Sequence, residues 1–140
     1  MRTVYYILLL VILNLFSLES SIINYSRTID GKEYHFISND TKLLKSQWSI
    51  EQNLPLPFVK VIKIADRELS RLTKNKEDFS FINIRLHRIG ELSKKNIWCY
   101  VIEYHHKSMY DVKVNPQIFL DIPITIMMNG EVISGKVLNE

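Results

Sequence analysis

The chain has a single cysteine, Cys99. One thiol cannot close an internal disulfide, so a packed core must hold the fold unaided. No cysteine follows the N-terminal apolar stretch, which argues against a lipid-anchored lipoprotein. Glycine and proline occur only four times each. That is too little for a long flexible linker, and it nearly excludes a glycine-rich phosphate loop. No serine sits in a Gly-x-Ser-x-Gly elbow, and no tightly spaced Cys/His set signals zinc. Charge is also modest, at net +3 from 18 basic and 15 acidic residues. The basic residues are scattered, so no nucleic-acid partner is expected. With 46% hydrophobic and 24% charged residues, neither disorder nor a fibre fits.

What is present begins with an address. Met1-Arg2 supplies a positive start, and Val4 to Phe16 is apolar except for Asn14. Small polar residues follow at Ser17, Ser20 and Ser21. A charged start, a short apolar run and a small-residue zone make up a secretory signal peptide. The run is shorter than the roughly 20 apolar residues of a membrane-spanning helix. Residues 1–20 are therefore expected to be a signal peptide, with an uncleaved anchor as the alternative. The expected location is secreted or periplasmic, and membrane contact is expected only through that segment if it is retained.

The remainder is long enough for one domain with a real core. Residues 21–56 read as an irregular lead-in, with a turn at Asp30-Gly31, a short strand over 33–37 and Trp48 as an anchor onto the core. Residues 57–140 read as a helix-plus-sheet domain. Pro55 and Pro57 precede a helical period in which Phe58, Val61, Ile62, Ala65, Leu69 and Leu72 share one face. The period then changes to two. Ile82, Ile84 and Leu86 alternate with Asn83, Arg85 and His87; Trp98, Tyr100, Ile102 and Tyr104 alternate with Cys99, Val101, Glu103 and His105; and Ile122, Ile124, Ile126 and Met128 share one face. A turn is expected at 90–95 and a hairpin at Asn129-Gly130. Across the first of these turns, Arg85 is expected opposite Glu103 and Leu86 opposite Ile102. The expected class is α+β: one amphipathic helix packed on a three- to four-stranded antiparallel sheet, after an N-terminal signal helix.

The segments QWSIEQNLPLP, FVKVIKIADRELSRL, NIWCYVIEY and ITIMMNGEVI occur in that order. Together they resemble the small PepSY-like and cystatin-like domains of exported bacterial proteins, over about residues 47–133. The resemblance implies a non-catalytic role in binding or inhibiting other proteins. A cystatin-type inhibitor uses a Gln-x-Val-x-Gly loop, which this chain lacks, and that leaves protease inhibition without its motif.

Chemistry-bearing residues are sparse. Adjacent His105 and His106 point to opposite faces of a strand. His87, Cys99, Glu103 and His105 share the odd-numbered face, and one alternative is a metal-dependent hydrolase-type site there. Cys99 lies mid-strand, where a thiol is usually a small packing group. No catalytic residue, metal ligand or cofactor is assigned. The odd face mixes apolar and polar residues, so Arg85, His87, Val101, Glu103, His105, Thr125 and Met127 form the candidate partner surface. The expected function is an exported non-enzymatic domain that binds a protein or peptide in the cell envelope. A membrane-anchored structural accessory protein is the other alternative.

Overall fold

The computed structural model describes residues 21–89, 96–110 and 121–137. The expected signal segment and the expected turn at 90–95 lie outside the described residues. The chain is α+β, with one long helix packed against two antiparallel three-stranded sheets.

The expected lead-in builds most of the first sheet. Strands β1 (Ser21–Ile29) and β2 (Lys32–Asn39) pair through the Asp30-Gly31 turn. Both turn residues have positive φ, 50° and 75°. That geometry matches the twist of the flanking strands and suits Asp-Gly. The third strand, β6 (Gly135–Val137), pairs with β2 from much later in the chain. Tyr25, Phe36 and Gly135 fall in one row across the three strands. The Tyr25 and Phe36 rings stack with centroids 4.7 Å apart, and the Phe36 ring covers the bare Gly135. A chain expected to be irregular is thus ordered by a tight turn and an aromatic row.

One helical turn (Asp40–Leu43) and a 3-10 turn (Leu44–Ser46) lead on from β2. Trp48 is buried, as expected of an anchor, and packs edge-on against Trp98 at 5.6 Å. Helix α1 (Phe58–Leu72) starts directly after Pro57. Val61, Ala65, Leu69 and Leu72 are buried on its inner face, as is Glu68. Phe58 and Ile62 were expected there too, but Phe58 is 44% exposed and Ile62 only half-buried. The helix is rolled toward Glu68 because its far side is tied to the first sheet. Arg71 grips Glu68 through two hydrogen bonds, 2.7 and 3.0 Å, and also donates to the Gly135 carbonyl at 2.8 Å. The paired guanidinium makes burial of that carboxylate tolerable. Beyond the last turn, Asp30 accepts from the Thr73 hydroxyl at 2.8 Å and the Lys74 amide at 3.1 Å.

The second sheet runs β3 (Phe79–Arg88), β4 (Trp98–His106) and β5 (Asp121–Met127), in that spatial order. Tyr100, Ile102, Tyr104, Ile122, Ile124 and Ile126 are buried, so the even-numbered face of β4 and β5 is core as expected. Tyr100 links this face to the helix entry, its hydroxyl donating to the Leu56 carbonyl at 3.1 Å. The register of β3 on β4 differs by two residues from the expectation. Arg85 stands opposite Val101 and Leu86 opposite Tyr100, while Glu103 faces Asn83 and Ile102 faces Ile84. A bulge at Ile82 accounts for further differences. One extra residue flips the alternation. Ile82 is therefore exposed rather than core. Phe79 and Phe81, before the bulge, share the even-numbered face of β4 and pack beside His106 and Tyr104. After β5 the Asn129-Gly130 turn forms as expected, but the return strand is a single bridge, Ile126 to Val132.

Candidate functional site

The second face of this sheet carries the seven residues expected to meet a partner, and it is divided lengthwise. On its β4–β5 half, Val101, Thr125 and Met127 are buried, with Cys99 beside them. The first sheet reaches this half through Tyr25, whose hydroxyl donates to the Pro123 carbonyl at 3.1 Å and lies within reach of Thr125. Burial pushes the Tyr25 phenol up from its ordinary pKa. Arg27 closes the rim with a long ion pair to Asp121, 3.9 Å. Val101, Thr125 and Met127 therefore belong to the core and present no surface. Alternation cannot reveal this, because the cover comes from a distant hairpin.

On the β3 half the face is open. Arg85 and His87 are exposed, and Glu103 and His105 are half-buried. Arg85 and Glu103 are not direct partners, yet their side chains meet diagonally at 2.9 Å. The second Glu103 oxygen accepts from Asn83 at 2.8 Å. Both oxygens of Glu103 are thus engaged. The Cys99 thiol is buried against the His87 carbonyl at 3.6 Å. Burial pushes it up to about 12, so at neutral pH it is a protonated packing group rather than a nucleophile. His87, Cys99, Glu103 and His105 do not converge. Among the described residues, no three His, Cys, Asp or Glu side chains gather where they could hold a metal ion.

The expectation from sequence left out the edge of β3. Among the described residues only β4 pairs with it. Its ten residues present an open row of backbone donors and acceptors, with Phe81 and Ile82 exposed beside them. Phe79, Phe81, Ile82 and Ile84 are all apolar, a cluster too dense for one sheet face. That density was the available signal. Among the described residues, no helix is long and apolar enough to cross a membrane. No family model matches the chain, and neither a curated protein nor a solved structure matches it.

Proposed function

We propose that this chain is an exported, non-enzymatic domain of PepSY-like or cystatin-like character that binds a protein or peptide partner in the cell envelope. The contact surface is the β3 edge together with the open half of the adjoining face: Arg85, His87, Glu103 and His105. The observation that carries this reading is the ten-residue edge, unpaired among the described residues, with two exposed apolar side chains. An open edge of that length is a template for an added strand, which gains main-chain hydrogen bonds from the edge and side-chain contacts from its flanks. Export rests on the charged, apolar and small-residue order of positions 1–20.

A photo-crosslinking residue placed at Phe81 in the full chain tests the reading in native envelopes. The expected result is one dominant adduct from position 81, weaker or absent when the probe stands at Lys74, which precedes β3 and whose amide is held by Asp30 of the first hairpin. Ile82→Lys in the same chain should remove the adduct and leave the thermal melt unchanged. Equal labelling from both positions, or an adduct indifferent to Ile82→Lys, overturns the edge as the contact.

A further inference from the structure

We propose that the groove between α1 and the Asn129-Gly130 turn binds an extended acidic peptide, one whose carboxylates alternate with apolar side chains. It involves none of the residues of the β3 edge and does not depend on that edge being a contact.

The groove begins in the sequence of α1. Lys60, Lys63, Arg67 and Arg71 recur at spacings of three and four, so they form one stripe along the helix. At about 1.5 Å of rise per residue, neighbouring cations stand about 4.5–6 Å apart along the axis. The stripe borders a groove of about 660 Å³. Ile64 and Val132 give this groove an apolar floor, and Gly130 forms the opposite wall. Gly130 sits at φ +90°, and a Cβ there would already touch Leu56 at 3.4 Å and Ile64 at 3.9 Å. The wall is therefore a tight turn seated against the helix.

The cations of the stripe differ in occupation. Arg71 is held by Glu68 and the Gly135 carbonyl. The other carboxylate of α1, Asp66, accepts from the Tyr104 hydroxyl at 2.6 Å and pairs with Lys76 at 3.7 Å. Lys60, Lys63 and Arg67 make no ion pair with a described residue. Three like charges are thus aligned beside a concave apolar strip; Glu68 also lines the groove, but it is buried and its charge is taken up by Arg71, while Asp66 is engaged by Tyr104 and Lys76.

An extended peptide fits both features. Its alternate side chains repeat at about 6.4–6.8 Å, longer than the rise of about 4.5–6 Å between cations, a difference that long, flexible Lys and Arg side chains can span. One set would meet Lys60, Lys63 and Arg67, while the other would rest on Ile64 and Val132. A membrane surface is flat and would not enter a groove. A single nucleic-acid strand is held by aromatic stacking, and no aromatic side chain lines this groove. A polyphosphate would leave the apolar floor unused.

Fluorescence anisotropy with the full chain tests the proposal. The probe is a labelled, end-capped ten-residue peptide alternating glutamate and leucine. It should bind, and binding should weaken as salt shortens the screening length from about 10 Å at 0.1 M. Lys63→Glu with Arg67→Glu should weaken it by about tenfold, since two exposed attractions become repulsions. Lys63→Gln with Arg67→Gln should fall between. Both pairs are exposed, and circular dichroism melts would verify that each variant is folded. The same peptide with glutamine for glutamate should bind weakly. Equal binding of the two peptides, or charge-reversed protein that binds as well as wild type, overturns the proposal. So does tighter binding of polyphosphate or phosphatidylglycerol vesicles through the same two residues. Ile82→Lys should not change peptide binding, which separates failure of the groove from failure of the β3 edge.

Discussion

Arg85 and Val101 stand opposite one another on adjacent strands and face the same side of the sheet. Val101 is 8% exposed, whereas the Arg85 side chain is 58% exposed. The next pair along repeats the contrast, with His87 open and Cys99 buried. Nothing in the strands themselves separates the two halves of this face. The first sheet reaches over β4 and β5 and stops short of β3. Burial on a sheet face is therefore decided by what arrives from elsewhere in the chain. The same division leaves β3 with an open edge beside a half-open face, which is where a partner strand would find both backbone and side-chain contacts.

The sharpest way to break the comparison is to charge each half in turn. Val101→Glu with Met127→Glu should cost more than about 4 kcal/mol, because two carboxylates would be buried without partners. Thermal melting should then show no cooperative transition. Arg85→Glu with His87→Glu should cost no more than about 1 kcal/mol, since an exposed ion pair contributes little. Similar melts for the two double variants would mean that the hairpin does not cover the β4–β5 half.

A smaller effect is expected from the seal itself. In Gly135→Ala the new methyl would lie 2.6 Å from Phe36 Cζ. Overpacking of that kind costs about 1–3 kcal/mol. Urea titration followed by tryptophan fluorescence would read the loss, and adding Phe36→Leu should recover part of it. Full additivity of the two changes would show that they do not share this contact.

The last effect appears only at alkaline pH. Cys99 titrates at about 12 in the folded chain and near 9.0 without its surroundings. The folded state keeps its proton longer, so this stability is complete below pH 9 and is lost as pH rises toward 12. The expected slope is about 1.4 kcal/mol per pH unit. Raised phenols at Tyr25, Tyr100 and Tyr104 act in the same direction. Melting temperatures of wild type and Cys99→Ala between pH 8 and 11, values that span the window set by the raised thiol, should converge as pH rises. A constant difference would mean that the thiol is not held by burial.

How far the sequence could be read follows from the length and regularity of each signal. α1, β4 and β5 announce themselves because each is a long run with one dominant period. β1 does alternate, through Ile23, Tyr25 and Ile29, but Arg27 interrupts the apolar set and its ion pair with Asp121 is a tertiary fact. β6 has three residues, too few to show any period. The bulge at Ile82 leaves no mark in composition, yet it moves Phe79 and Phe81 across the sheet. Of the candidate surface, Arg85 and His87 on β3 stay exposed and Glu103 and His105 at the end of β4 stay half-buried. Val101, Thr125 and Met127 are hidden by a cover that strand alternation does not encode. The groove of α1 was visible only as a polar helix face, since its floor comes from Val132 and its wall from Gly130.

The row of Tyr25, Phe36 and Gly135 also sets a clock. β1 and β2 are made first, and β6 follows every other described element. Until Gly135 has emerged, the Phe36 ring has no third strand to lie over, and the hairpin must wait with that aromatic row uncovered. Pairings so distant in sequence form late and slowly. The order of synthesis therefore holds the first sheet open until the other described elements have been made, and a ribosome that stalls before residue 135 leaves a hairpin without its third strand.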